Sequence, residues 1–447
     1  MKKKKIRKIL IVRPDSIGDY ILFSGFLKYI REAYRDYFIS ILLQEHVAEL
    51  ARDCPYIDEI TPFNRQKFIT ERVYTQEVMR NLRSKKYSVV LYPVYSRDVV
   101  GDFITLECGA PVAITFKGDN SNMNQSMRLQ NNKYYTRCIR VRKDILNEFE
   151  RNKIFAKTLV KKSGQLTESQ PYIVWSEEEN IFVEHLLGEY NITEPFIALA
   201  PFSQYSIRKW PIERWVSLIS AYHSFPIVIC GMQSDKKEAQ CIIENSDHVR
   251  VINFCGNTTL RQCASLLTRA KVLIGVETAL CHMAASVGTP SVVITGGGHF
   301  GRFLPYNELH HIVYKKMSCY GCNWQCKHMM PYCLTDIRVE QVVRVLQKIG
   351  ITSSKRIFGK KNHCVQYYLF GSLHKTCGKE KKAERWFKQA ITEHDGKEIV
   401  GGAYFHLGEM LLERRRRKEA KDYFTECLEY IPDHKKARQR LKAIKAV

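Results

Sequence analysis

The sequence predicts an α/β protein: two domains built on parallel sheets, over 1–170 and 171–352, followed by a small all-α repeat domain over 358–447. Three observations predict it. Short apolar runs alternate with amphipathic helical stretches, first from Lys8 and again from Phe196. One stretch, Lys271–Gly298, reads without a break as strand, turn, short helix, strand and glycine-rich loop. From Phe358 the pattern is helical throughout, and it repeats.

The middle stretch organises the rest. Lys271–Val276 is an apolar run suited to a buried parallel strand. Glu277 and Thr278 stand at its end, Thr278 as the N-cap of a helix over Ala279–Val287 that Gly288 and Pro290 stop. Ser291–Thr295 is β-branched and apolar, hence a second strand. A helix N-terminus outside the carboxyl end of a parallel strand offers free N–H groups to an anion, so this unit reads as a diphosphate cradle. Gly296–Gly301 also satisfies G-x-G-x-x-G, but Pro305 follows too soon for the loop to open a helix, which argues against a dinucleotide-dependent hydride transfer.

Composition narrows the class. The 447 residues, 45% hydrophobic and 26% charged, describe a globular chain with room for two or three cores. No run reaches the ~18 apolar residues of a spanning helix. The apolar segment behind the basic N-terminus is only Ile9–Val12, too short for a signal peptide, so a cytoplasmic protein is expected. The net charge of +24, densest at Lys2–Lys5 and Arg414–Lys418, suits phosphorylated substrates or an anionic membrane surface, including peripheral contact at the inner membrane. No zinc-finger or RNA-recognition signature supports nucleic acid as the partner. Most of the 15 cysteines sit singly in apolar segments (Cys54, Cys108, Cys230, Cys263) and read as small buried hydrophobes.

Along the first domain, strands are expected at Lys8–Val12, Tyr37–Leu43, Ser88–Tyr92 and Val112–Phe116. The polar, Asn-rich Asn120–Asn132 reads as a loop, and Tyr134–Phe155 as the last helical part. A linker region from Gly164 leads into a helix over Ser176–Tyr190. Six strands follow, at Phe196–Ala200, Pro226–Cys230, Val249–Asn253, Lys271–Gly275, Ser291–Thr295 and His311–Tyr314, and the amphipathic Ile337–Ile349 closes the second domain. In the tail, Gly371, Ala383, Phe387 and Ala390 recur as Gly408, Ala420, Phe424 and Cys427, each 37 residues on. Small residues where helices cross and large ones between them are the tetratricopeptide pattern, with an insertion near His394–Gly402 and Lys435–Ile444 as the cap. From Lys355 the chain carries 23 Lys/Arg against 12 Asp/Glu.

Four segments in order resemble glycosyltransferase family 9, the heptosyltransferases and their relatives. They are ILIVRPDSIGDYILFSGFLKYIRE, IALAPFSQYSIRKWPIERW, CGMQSDKKEAQ and GVETALCHMAASVGTPSVVITGG. The resemblance covers roughly Lys8–Ile349 and implies a GT-B fold, two facing Rossmann-like domains with the site between them. It implies an inverting transfer of a sugar, heptose in the family, from a nucleotide-diphosphate donor to a lipopolysaccharide or other bacterial surface glycan, including lipid-linked acceptors. Three positions depart from the family: Glu277 replaces the usual Asp, Ala279 the usual Gly, and Gln233 the Glu commonly turned to the nucleoside. The donor sugar and base stay open.

Such a transfer needs a base on the acceptor hydroxyl and positive charge on the departing diphosphate. Asp19, just past a strand–helix corner, matches the family's base. Arg208 and Lys209 are the cationic candidates, Lys209 counted with the catalytic groups, and Trp210 and Trp215 would fix their loop. Ser203 adds a hydroxyl, and Thr278, Ala279 and Leu280 add backbone N–H groups. His282, one turn on, is placed to reach a phosphate oxygen, with a core histidine as the alternative. Glu277 is assigned to holding the turn or a ribose. Tyr95, Ser96 and Arg97 are the acceptor-side candidates, an arginine there suiting an acidic glycan. The scheme requires no cofactor. Cys319, Cys322, Cys326 and Cys333 form C-x2-C-x3-C-x6-C, read either as ligands of a structural zinc or iron–sulfur cluster or as free thiols. The tail is read as the dock for a protein partner. A catalytically degenerate transferase domain serving as a scaffold through that tail is the rival reading, and a sugar-nucleotide epimerase a third.

Overall fold

The computed structural model describes residues 6–160, 169–248, 250–328, 330–353, 363–392 and 397–445. The Lys2–Lys5 run, the first residues of the expected linker and the first residues of the inter-repeat insertion lie outside them.

Twelve strands form two six-stranded parallel sheets. The first holds β1 (Arg7–Arg13), β2 (Tyr37–Gln44), β3 (Glu59–Phe63), β4 (Val89–Tyr92), β5 (Val112–Phe116) and β6 (Arg137–Ile139), in the order β3-β2-β1-β4-β5-β6. The second holds β7 (Phe196–Ala200), β8 (Ile227–Ile229), β9 (Val251–Asn253), β10 (Ala270–Val276), β11 (Ser291–Ile294) and β12 (His310–Val313), in the order β12-β11-β10-β7-β8-β9. β1 and β10 are central, and both are apolar on both faces. Ile9 to Val12 and Val272 to Ile274 are buried, as a strand covered by helices on each side requires. In each sheet the order reverses beside a central strand, and the carboxyl ends there open the crevices that bind ligands in such folds.

Four expected features differ from the structure. β3 was not read from sequence because Pro62 interrupts its run; it is an edge strand, where a missing N–H is tolerated. β6, only three residues long, is the opposite edge, within the stretch expected to be helical. The helix of that stretch begins later, at Glu148, and is capped by Asn147. The expected loop at Asn120–Asn132 contains the helix Gln125–Asn131, nucleated by Asn124, whose side chain accepts from Met127 N at 2.9 Å.

By its contacts the chain divides into two compact units: Met1–Arg208 with Thr258–Leu334, and Lys209–Asn257 with Thr335–Val447. Within the second unit, five helices between His363 and Lys445 build the tail. Gly371 and Gly408 lie under the rings of Phe387 and Phe424, where an added Cβ would stand 2.4 and 2.7 Å from ring carbons. The 37-residue repeat is therefore a repeat of one close helix crossing. In the same unit, Cys241 Sγ and Cys377 Sγ lie 2.7 Å apart. Among the described residues no helix is long and apolar enough to cross a membrane.

Candidate active site

Two strand–helix corners of the first unit meet. β1 ends at Arg13, and the chain turns through Pro14–Ser16 into the helix Ile17–Ser24. β10 ends at Val276 and turns through Glu277 and Thr278 into the helix Ala279–Ser286. A Cβ on Gly18 would stand 3.2 Å from Cδ2 of His282 and 3.8 Å from Cα of Ala279. Asp19 and the first amides after Glu277 thus border one space.

The first corner is rigid. Arg13, 3% exposed, donates to Pro93 O (2.7 Å) and Asp19 O (2.8 Å) and pairs with Asp15 at 2.7 Å. Burial pushes the Asp15 carboxyl up to about 7, against the pull of Arg13 and with the added repulsion of Asp19. The Asp19 carboxylate accepts from Ser16 Oγ (2.6 Å) and Ser16 N (3.3 Å), closing a capping box at the helix start. These bonds fix the carboxylate of the expected base.

At the second corner, burial pushes Glu277 up to about 7 although Arg208 and Arg302 both pull it down. Thr278 is extended (φ −144°, ψ 175°) and caps the helix, so the amides of Ala279 and Leu280 are free of helix partners. Ala279 itself lies inside the helix, where the flexibility of the family's glycine is not needed. Burial lowers the His282 pKa to about 3, leaving a neutral imidazole that stacks on Tyr306 at 5.7 Å. Its Nδ1 is buried without a hydrogen-bond partner.

Two residues at this site were not singled out from sequence. Both come from the glycine-rich loop set aside for failing the dinucleotide pattern. His299 Nε2 donates to Asn323 Oδ1 (2.6 Å), and its Nδ1 faces Arg208 Nη2 at 3.5 Å. Burial lowers its pKa, Arg208 and Arg302 lower it further, and Asp19 opposes them. Arg302 donates to Glu148 Oε1 (2.9 Å) and Ser96 Oγ (2.8 Å). A basic residue within a Gly-rich stretch after a strand was the available signal. Gly297 and Gly298 are needed because Tyr320 and Trp324 lie on the loop; a Cβ at either would be 2.3 Å from an aromatic carbon.

The remaining candidates divide. Arg208 lies over Trp324 (4.9 Å to the ring centre) beside His299. Ser203 Oγ accepts from Tyr205 N at 3.4 Å, within the turn after β7. Tyr95 lies under the Arg151 guanidinium at 3.7 Å, and Ser96 donates to Asp119 at 2.9 Å. Arg97 faces no solvent: it is 1% exposed, 3.4 Å from Asp102 and over the Tyr135 ring, a core ion pair. Lys209 and Gln233 belong to the second unit. There Lys209 Nζ donates to Glu238 Oε2 at 2.6 Å, and Gln233 lies against Gly256, where a Cβ would be 2.1 Å from its Oε1. Trp210 and Trp215 are buried edge to face at 4.9 Å, Trp210 donating to Ile337 O.

The four clustered cysteines line one small pocket with Gly297, Gly298, Trp324 and His328. Burial and the other three thiols raise the Cys333 pKa. Among the described residues, however, no three His, Cys, Asp or Glu side chains are disposed to hold a metal ion. Asn323 and Trp324 turn the chain with positive φ (49° and 61°) and bring the indole into this loop. The sequence offers two readings of these cysteines, metal ligands or free thiols, and as placed the four line a pocket against the Trp324 indole.

A family model described as glycosyltransferase family 9 (heptosyltransferase) matches residues 76–332, more than half of the chain, and tetratricopeptide-repeat models match 367–393 and 401–434. Among curated proteins, the chain is similar to the lipopolysaccharide core heptosyltransferase OpsX of Haemophilus influenzae, 24% identical over 35% of this chain and 48% of that one. It thus spans about half the length of that relative. It is also similar to lipooligosaccharide heptosyltransferase 2 of Haemophilus ducreyi, 22% identical over 64% of this chain and 82% of that one. Among solved structures, the family 9 glycosyl transferase of Veillonella parvula covers 78% of this chain and 98% of its own, with a TM-score of 0.66 at 18% identity. ADP-heptose lps heptosyltransferase II of E. coli covers 76% and 98%, with a TM-score of 0.59 at 18% identity. Two six-stranded parallel sheets, two strand–helix corners that meet and a match across more than half its length give one conclusion: the chain belongs to glycosyltransferase family 9 and carries a tetratricopeptide-repeat tail.

Proposed function

We propose that this protein is an inverting glycosyltransferase that moves a sugar, heptose by family precedent, from a nucleoside-diphosphate donor to a bacterial surface glycan of the lipopolysaccharide type. The observation that carries this is the position of His299. Arg208, from the loop after β7, reaches within 3.5 Å of one imidazole that also feels Asp19 of the first corner, so a base and a cation border the same space. Asp19 takes the proton of the acceptor hydroxyl. The oxygen attacks the anomeric carbon from the side opposite the diphosphate, and the bond to the diphosphate breaks as the new one forms. Arg208 and the amides of Ala279 and Leu280 receive the charge that develops on the leaving group. The buried, neutral imidazole of His282 offers its unpartnered Nδ1 as a further polar group at the same helix.

The reading places the acceptor groups in residues 1–170, the nucleotide groups in 171–352 and a partner dock in 358–447. Ser203, Lys209 and Gln233 belong to the donor set, Lys209 held ready by Glu238. Positive charge is supplied by side chains, so the transfer proceeds without a metal ion. The acceptor is reached from the cytoplasm, with the basic surface favouring anionic lipid headgroups. A melting-shift screen with ADP, UDP, GDP and CMP sugars tests the core of this reading. One class should raise the melting temperature, and the same donor should then support transfer. A shift from none of them, in a folded preparation, sinks it in favour of a scaffold.

A further inference from the structure

We propose that Arg302 is a second diphosphate-binding cation of this site, held in reserve by Glu148. The inference rests on the transferase reading and deepens it. Arg302 follows the glycine-rich loop that runs on from β11, on the nucleotide side. It is close enough to Glu277 to draw that carboxyl's pKa down, together with Arg208. Its own bonds run the other way, to Glu148 Oε1 at 2.9 Å and Ser96 Oγ at 2.8 Å. The backbone follows: Glu148 N donates to Arg302 O at 2.7 Å, and Asn147 Nδ2 to Pro305 O at 3.1 Å.

Glu148 does not depend on Arg302. The same oxygen, Oε1, accepts from Arg151 Nη1 at 2.7 Å, and Arg151 covers the Tyr95 ring. One carboxylate oxygen therefore serves two guanidinium groups. If Arg302 leaves, Glu148 keeps a charge partner and Ser96 keeps Asp119 at 2.9 Å. The Arg302 side chain is 23% exposed, so it is neither locked in the core nor fully solvated. A doubly charged diphosphate arriving beside Arg208 offers it a stronger, bidentate partner than half a share of Glu148. In binding the diphosphate, Arg302 releases Ser96 and Glu148 toward the acceptor. Donor binding is thereby linked to the acceptor side.

Calorimetric titration with ADP, and with UDP, GDP and CDP in parallel, tests this on the full-length protein. Wild-type binding of one of them comes first; its absence would count against the transferase reading itself. With that binding in hand, Arg302→Ala is expected to weaken it about ten-fold, the loss of one charge-assisted contact. Glu148→Gln removes the competitor and is expected to tighten binding, which a merely structural role for the pair cannot do. The double variant should bind as weakly as Arg302→Ala alone. Unchanged affinity in Arg302→Ala, or weaker affinity in Glu148→Gln at an unchanged melting temperature, overturns the proposal.

Discussion

Gly18 lies against His282: across 264 residues of sequence, a Cβ on the glycine would stand 3.2 Å from the imidazole Cδ2. This contact joins the corner that carries Asp19 to the helix that begins after Glu277. Gly18→Ala should fold, because position 18 is helical with no unusual φ. The methyl group must push His282 by a few tenths of an ångström. We expect kcat/KM to fall about ten-fold, since an ångström-scale misplacement costs up to ~100-fold. Gly18→Val should lose more. Steady-state kinetics beside a melting curve check both.

Asp19 caps its helix and is the base of the proposed mechanism, and the two roles separate. Asp19→Asn keeps an oxygen for Ser16 N but cannot accept the acceptor's proton. Transfer is expected to fall by roughly 10²–10⁴, the usual contribution of a general base, with nucleotide affinity and melting temperature close to wild type. Full turnover in this variant refutes the role.

Glu277 gives a pH signature. Its carboxyl titrates near 7 in the folded chain against 4.5 in an ordinary setting. Between those values the folded state holds more protons than the unfolded one, so stability falls as pH rises through the window and levels off above it. Glu277→Gln should remove its share of that slope and melt no lower than wild type at pH 8. Asp15, also raised to about 7, keeps its own share in the variant. Nucleoside-diphosphate binding should weaken from pH 6 to pH 8 in the wild type, as Glu277 gains charge beside the phosphates, and less so in Glu277→Gln. Melting curves and calorimetry at the two pH values decide.

Divalent ions are expected to be dispensable. Dialysis against EDTA should leave both nucleotide affinity and transfer unchanged, because in the proposed mechanism arginines neutralise the diphosphate in place of a metal ion. Elemental analysis of a sample never exposed to chelator separates the two readings of the four cysteines: one zinc or iron per chain makes them ligands, and none makes them packed thiols.

In the tail, Gly408→Val places a branched side chain where even a Cβ meets the Phe424 ring at 2.7 Å. Overpacking of this kind costs about 1–3 kcal/mol. Limited proteolysis of the full chain should show faster cleavage between residues 397 and 445, and the melting temperature should drop.

Much of the fold was legible because buried parallel strands are written as apolar runs. Phe196–Ala200 and Val112–Phe116 fall where the sequence placed them, residue for residue. The elements missed are those that tertiary context decides. β3 and β6 are edge strands that need a neighbour to exist, and the helix Gln125–Asn131 is set by a cap rather than an apolar stripe. The site was half legible. Asp19 and Glu277 sit at corners, which sequence reveals. Arg97 was read as the acceptor-side arginine because it lies just past a strand end, where an arginine suits an acidic glycan. Folding instead buries Arg97 against Asp102 and brings Arg302 to Ser96 from 206 residues away. Sequence neighbours share a backbone, and only the fold chooses which arginine shares the hydroxyl.

The helical repeats belong to the same compact unit as residues 209–257. The helix His363–Thr376 packs on Ile212–Ile219, and the turn that follows it sets Cys377 beside Cys241. Deleting everything past residue 353 to obtain a minimal transferase would strip cover from an interior helix rather than prune an appendage. A swapped-in tail would have to reproduce that seat, so any partner gripped by the repeats would be gripped by a surface anchored to residues 209–257.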